Sequence, residues 1–299
     1  MIPAEETFDG TWPFAPHFHD GAGFRMHYVD EGGGDPIVCL HGEPTWGYLY
    51  RRFIPRLAKL GRVVVPDHMG FGKSATPQDR EYTIRAHIDN LESLLVSHLR
   101  LTNITLVGQD WGGPIASGFA LRHPDRIKRL CYMNTGLPGR PPAGVPTVAD
   151  FPWFKWIKSA ESEAVLSNLG ATILSVMKRI GFERASHVDE TWVRAYASAF
   201  PTQADCKGAL AFPQCINAPA TAKAILEHAA NLPRLLAKPA MYVHGEADRA
   251  IPTEMSVATF RTLWPKGPVV TLPGVGHFIQ EDAPETACAL IEQFIQLTA

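Results

Sequence analysis

Ile104-Thr105-Leu106-Val107-Gly108-Gln109-Asp110-Trp111-Gly112-Gly113 is the stretch that decides how this chain folds. An apolar run passes directly into Gly-x-Asp-x-Gly, and a helical pattern follows from Gly113 to Arg122. This reads as a buried strand turning sharply into a helix. A residue at the tip of such a turn is held in strained backbone. Bulk two positions before or after it would clash, which explains glycine at 108 and 112. The turn lifts the Asp110 side chain above the sheet, and the helix behind it aims the positive end of its dipole at the same point.

Similar apolar runs flank this one. Val63-Val64-Val65, Ile127 to Met133, Ala240 to His244 and Val269 to Leu272 lack polar alternation. Strands covered on both faces of a mainly parallel sheet look like this. Phe24 to Val29 and Ile37 to Leu40, joined by Glu31-Gly32-Gly33-Gly34-Asp35, read as a hairpin. Helical spacing predicts helices over Tyr48 to Leu60, Thr83 to Leu99 and Pro284 to Leu297. Strand and helix alternate at the pace of βαβ units, so the fold class is α/β.

The rhythm breaks at Gly136-Leu137-Pro138-Gly139-Arg140-Pro141-Pro142, and only helical pieces follow from Asp150 to about Ala230. Residues 1–135 and 231–299 are therefore expected to form a core domain, with 136–230 as a helical lid over the strand ends.

Composition narrows the function. The chain has 299 residues, 45% hydrophobic and 19% charged, with 28 basic and 30 acidic side chains for a net charge of −2. That is globular, and it lacks the basic surface a nucleic-acid partner would need. No stretch approaches the roughly eighteen apolar residues of a membrane span. Glu5, Glu6 and Asp9 stand where a signal peptide would be basic and then apolar, so none is expected. The cysteines (Cys39, Cys131, Cys206, Cys215 and Cys288) show no close pairing, which suits a reducing, cytoplasmic setting. The histidines are scattered, and His17 with His19 lacks a third ligand, so no metal is expected. Gly70 and Gly72 lack the spacing of a phosphate loop and read as tight-turn residues; no nucleotide cofactor is expected.

At the tip of the elbow, aspartate in place of serine changes the chemistry. A hydroxyl needs a base to activate it, whereas a carboxylate is ionised at neutral pH. It can displace a leaving group from saturated carbon, giving an ester whose carbonyl belongs to Asp110. The competing reading is a plain helix cap. Late in the chain, His277 in Gly274-Val275-Gly276-His277-Phe278 is the candidate base for the water that cleaves this ester. Asp248, just past the run ending at His244, is the candidate acid supporting it. Glu246 is the spare, and Asn134 is a weaker orienter because it carries no charge.

Cys39-Leu40-His41-Gly42-Glu43-Pro44-Thr45-Trp46 follows another buried strand. Its backbone can offer an N–H beside that of Trp111 to form an oxyanion hole, and the Glu43 side chain can hold a water. Trp111 adjoins the nucleophile, and Phe151-Pro152-Trp153-Phe154-Lys155-Trp156 lies in the lid. Two converging indole N–H groups would make a soft anion site suited to a departing halide. Phe154, Phe200 and Phe212, with Pro201 and Pro213, suggest a cramped apolar pocket.

These residues resemble the haloalkane dehalogenases of the α/β-hydrolase fold, from Pro13-Phe14-Ala15-Pro16-His17 to Gly276-His277-Phe278-Ile279-Gln280-Glu281-Asp282. His41-Gly42-Glu43-Pro44-Thr45-Trp46 and Gln109-Asp110-Trp111-Gly112 together are specific for that family. The resemblance implies a mostly parallel eight-stranded sheet flanked by helices, with an inserted helical cap. It implies Asp110 as nucleophile, His277 as base and Asp248 as supporting acid. Trp111 and Trp156 match the halide-binding tryptophans, with Trp153 close enough to be confused with the second. Short halogenated alkanes, water and halide are then the partners of a cofactor-free enzyme that nothing requires to be more than a monomer.

Three rivals share the fold. An epoxide hydrolase needs an acid for the alkoxide, and the lid from Ser159 to Ala230 offers one tyrosine, Tyr196, where that family normally supplies two. A haloacid dehalogenase needs arginines soon after the nucleophile, and Trp111 to Leu121 has no basic residue. A binding protein would be expected to lose part of the Asp110, Asp248 and His277 set.

Overall fold

The computed structural model describes residues 2–299. Eight strands form one sheet: β1 (His17–His19), β2 (Met26–Glu31), β3 (Pro36–Leu40), β4 (Arg62–Pro66), β5 (Ile104–Asp110), β6 (Ile127–Thr135), β7 (Ala240–Gly245) and β8 (Val269–Leu272). Their order is β1-β2-β4-β3-β5-β6-β7-β8. β1 and β4 pair with β2 antiparallel, and every pairing from β4 to β8 is parallel. This is the expected α/β architecture, with β5 near the centre.

The hairpin expected from Phe24 to Leu40 does not form. β2 pairs with β4 instead, Val29 opposite Val65, and β3 lies between β4 and β5. All five residues of β3 are buried, which suits an interior strand covered on both faces. Gly32, at φ +83°, carries the connection against Ala58 and Gly61, where a Cβ would stand 2.6 Å from the Gly61 carbonyl.

Before the insertion come α1 (Ile54–Leu57), α2 (Ile84–Glu92) and α3 (Gly112–Arg122). The long pattern over Thr83 to Leu99 splits, because α2 passes into a π-helical segment at Ser93–His98. Between β6 and β7 the described residues contain no strand. They form α4 (Pro152–Ile157), α5 (Ala160–Leu166), α6 (Leu169–Ile180), α7 (Glu190–Ala197), α8 (Lys207–Cys215), α9 (Pro219–Ile225) and α10 (Leu232–Leu236). The helical pattern from Trp153 to Leu169 breaks at Ser159, which is extended and hydrogen-bonds its hydroxyl back to Trp156 O. α9 and α10 already pack on α3, returning the chain to the core. After β7 come α11 (Thr253–Leu263), α12 (Ile279–Asp282) and α13 (Pro284–Leu297).

The elbow between β5 and α3 needs its glycines. Asp110 sits at φ +50°, a strained value for a residue with a Cβ. A Cβ on Gly108 would lie 2.9 Å from Gly112 O, and one on Gly112 would lie 2.1 Å from Leu40 O. A buried pair joins Arg51 to Glu281 of α12, and Tyr196 of α7 donates to the same carboxylate. This network ties the insertion to the segment following His277. Among the described residues, no helix is long and apolar enough to cross a membrane.

Candidate active site

The elbow places Asp110 against the loop that follows β3. Asp110 Oδ1 accepts the Glu43 backbone N–H at 2.8 Å. Gly42 permits this approach, since a Cβ there would fall 2.1 Å from the same oxygen. The loop is held from below. The His68 N–H donates to His41 Nε2, so His41 Nδ1 carries the proton and donates to Gly42 O. Burial keeps His41 neutral. The other Asp110 oxygen lies 3.3 Å from His277 Nε2, near but not aligned as a hydrogen bond.

The loop after β8 delivers His277. Its N–H bonds to Gly181 O at 2.7 Å, and its carbonyl accepts from the Gln109 amide at 3.2 Å. The Asp282 carboxylate accepts the N–H groups of Gly276, Glu183 and Arg184. The imidazole is fully buried, and its Nδ1 lies 2.8 Å from Asp248 Oδ2. Glu246, the spare acid, points to solvent.

Asp248 has every acceptor occupied. Oδ1 takes the N–H groups of Ala250 and Ile251, at 2.7 and 3.0 Å. Oδ2, besides His277, takes the Asn134 amide at 2.6 Å. Asn134 is itself fixed, accepting Gly245 N–H at 2.8 Å from a backbone at φ +36°. Burial works against the Asp248 charge, but His277 and Asn134 hold its carboxyl below the usual range. Burial likewise opposes the His277 charge, and the carboxylates of Asp248 and Asp110 outweigh it, lifting the imidazole pKa to about 10.

Above these groups is a cavity of about 180 Å³. Asp110, Glu43, Trp111, Trp153 and Phe154 line it, with Ile180, Pro213, Ile251 and Met255. No basic side chain is among its lining residues. Glu43 is 4% exposed and its Oε1 has no hydrogen-bond partner. Burial pushes its carboxyl well above the ordinary range, and the neighbouring Asp110 charge adds to the shift.

Three expected pocket residues, Trp156, Phe200 and Phe212, do not line the cavity. Trp156 does not line the cavity; its ring packs against Trp153 and is covered by the Arg179 guanidinium, 4.5 Å from the ring centroid. Trp153, one helical turn earlier, is the indole of α4 that reaches the space over Asp110. Phe200 also stays out of the cavity and packs edge-on against Phe71. Phe212 stands behind the wall, stacked on Trp111 with centroids 5.2 Å apart and planes 8° from parallel. Tyr196 is buried against Glu281, away from the cavity. Met255 and Ile251 were not anticipated, because no local pattern separates a pocket wall from ordinary core.

A profile of the family described as "alpha/beta hydrolase fold" matches residues 35–284. The chain is 33% identical to a cis-3-alkyl-4-alkyloxetan-2-one decarboxylase of Shewanella oneidensis, over 97% of this chain and 91% of that protein. It is 33% identical to haloalkane dehalogenase 2 of Mycobacterium tuberculosis, over 95% of this chain and 96% of that one. Among solved structures, it superposes on the haloalkane dehalogenase DatA of Agrobacterium tumefaciens with a TM-score of 0.77. That match is 26% identical and covers 95% of this chain and 97% of the other.

Proposed function

Since the chain belongs to the haloalkane dehalogenase family of the α/β-hydrolase fold, we propose that this cavity converts short haloalkanes and water to alcohol, halide and a proton. One observation carries the reading. Asp110 has one oxygen held by a backbone N–H and the other, 3.3 Å from His277 Nε2 without hydrogen-bond alignment, at the edge of an apolar space lined by two indoles.

The second oxygen of Asp110 attacks the carbon bearing the halogen, and the carbon–halogen bond breaks with its electron pair on the halide. The indoles of Trp111 and Trp153 receive the anion as its charge develops. Oδ1 becomes the ester carbonyl oxygen, where the N–H groups of Glu43 and Trp111 stabilise negative charge. His277 takes a proton from water, held in place by the Glu43 side chain, and the hydroxide attacks the ester carbonyl. Asp248 keeps the imidazole oriented and favours its charged form. The alcohol leaves and Asp110 is restored.

Alkylation also prepares the base. Esterification removes the Asp110 charge, one of the two that hold the His277 proton. The imidazole then releases its proton more easily, and it becomes a base in the step that needs one. The small volume favours short chains, compared with the roughly 300–1,000 Å³ of sites for drug-sized ligands. The lack of a cation in the cavity wall favours uncharged ones. Within residues 136–230, the part that precedes α9 acts as the lid, because α9 already packs on α3 of the core. All five cysteines are unpaired, which supports a reducing, cytoplasmic setting, and the site is complete within one chain.

The test is halide release from a panel of short 1-bromo- and 1-chloroalkanes. A haloacetate and a dialkyl oxetan-2-one serve as comparisons, and Asp110→Asn as the blank. Bromide release by the wild type, at least about 10³-fold above the blank, is expected. Turnover of the haloacetate or the oxetan-2-one with inert bromoalkanes would overturn the reading.

A further inference from the structure

The Glu43 carboxyl, which holds water for ester hydrolysis, has a proton that the step displacing halide does not need. Its backbone N–H holds Asp110, but its carboxyl lies buried in the same cavity with one oxygen unpartnered. Two carboxylates, Asp110 and Asp248, already share the single imidazole of His277. No lysine or arginine lines the cavity to balance a third negative charge. An ionised Glu43 would therefore be an uncompensated charge in an apolar space, and the carboxyl keeps its proton. Burial and the Asp110 charge act in that direction and outweigh the opposing pull of His277.

A neutral carboxyl is an O–H donor, and this one lines the same cavity as Asp110. Halide departs as a stable anion and requires no proton, whereas an alkoxide does. The lid tyrosine cannot supply it, because Tyr196 is buried on Glu281 outside the cavity. We propose that Glu43 is a catalytic proton donor to an oxygen leaving group, so that this site also opens small apolar epoxides to vicinal diols. The proposal rests on the nucleophile and base assigned to Asp110 and His277 above.

The steps balance without a further reactant. Asp110 attacks a ring carbon, the carbon–oxygen bond breaks, and its electron pair stays on the ring oxygen. That oxygen takes the Glu43 proton, leaving a hydroxyalkyl ester on Asp110 and a Glu43 carboxylate. His277 takes a proton from water, and hydroxide cleaves the ester to release the diol. The proton liberated by ester hydrolysis returns to Glu43. The sum is epoxide plus water to diol with no net acid, whereas haloalkane hydrolysis releases one proton per turnover.

The test uses the full chain with His277→Phe, which stalls at the ester, and reads adducts by intact mass after 1-bromobutane or 1,2-epoxybutane. Bromobutane adds a butyl group in place of a proton, and the epoxide adds its whole mass. Both adducts are expected. Adding Glu43→Gln should lower the ratio of epoxide to bromide alkylation rates by at least about tenfold, because Gln keeps the shape and the backbone N–H but is not an acid. A bromide adduct without an epoxide adduct, or equal loss of both rates, overturns the donor role and leaves the haloalkane reading standing. An epoxide adduct without a bromide adduct overturns the haloalkane reading alone. If the double variant does not fold, the pH profile of His277→Phe decides. With His277 gone, Asp110 is the charged group facing Glu43. The epoxide-to-bromide ratio should fall about tenfold per pH unit once Glu43 ionises. A ratio independent of pH up to the limit of protein stability overturns the proposal.

Discussion

Trp153 and Trp156 pack together on one short lid helix with ring centroids 4.9 Å apart, yet only Trp153 reaches the cavity over Asp110. Three residues of helical spacing place both rings on one side of α4. Trp156 lies toward α6, where Arg179 covers its ring.

The halide site should follow that geometry. Bromide or iodide should quench tryptophan fluorescence saturably. Trp153→Phe should weaken halide binding about tenfold or more, since a hydrogen bond to a charged group is worth ~1.5–3 kcal/mol. Trp156→Phe removes only packing behind the site and should cost less than about threefold. Titration of quenching in the three proteins checks this, and the opposite ranking would return the donor role to Trp156.

What could be read from the sequence follows from how local each signal is. The elbow is written in adjacent residues, because Gly108 and Gly112 answer a clash that the turn itself creates. The central strands announce themselves as unbroken apolar runs. The pairing of β2 with β4 was not legible, since Glu31 to Asp35 forms a turn in either topology and only the burial of β3 decides. Within the site, the order Asp110, Asp248, His277 could be read along the chain. The placing of Trp153 rather than Trp156 against the cavity could not, because it depends on a tertiary contact, the Arg179 side chain of α6 covering the Trp156 ring. The hold of Asn134 on Asp248 was equally hidden, as it joins the end of β6 to the loop after β7 across 114 positions of chain.

Asn134 should act as a positioning residue. Its amide donates to the same Asp248 oxygen as His277, so Asn134→Ala leaves that carboxylate short of a donor in a buried place. A fall in kcat of about tenfold is expected, the size of one lost charge-assisted hydrogen bond. KM should move less, since Asn134 does not line the cavity. Steady-state kinetics on 1-bromobutane separate the two constants, and a rise in KM with unchanged kcat would contradict this role.

Replacing the base should split the reaction in time. His277→Phe removes the group that activates water and leaves Asp110 and its N–H donor in place. One equivalent of halide should appear as a burst, followed by turnover slowed by at least about 10³-fold. Intact mass should then show the alkylated protein. An unmodified protein after halide release would mean that water attacks carbon directly and that no ester forms.

The pH dependence should differ between the two chemical steps. In the free enzyme Asp248 and Asp110 lift His277 to about 10, so its imidazole is protonated at neutral pH. Alkylation of Asp110 does not use that imidazole, so its rate should be flat across neutral pH. Ester hydrolysis needs the neutral imidazole. Once the Asp110 charge is gone, the proton is held by Asp248 alone and the pKa drops below its free-enzyme value. Lowering the pH through that reduced pKa reprotonates the base, so hydrolysis slows and the ester accumulates. Raising the pH reverses this. Rapid quench at a series of pH values should show halide bursts of constant rate, with an ester lifetime that lengthens toward acid. The folded protein should respond in the opposite sense. An imidazole pKa raised from 6.5 to about 10 contributes stability that is complete below 6.5 and lost as pH rises through 10. The thermal midpoint of the wild type should therefore fall more steeply than that of His277→Phe toward alkaline pH. An equal slope in the two proteins would mean that the imidazolium is not held between the two carboxylates.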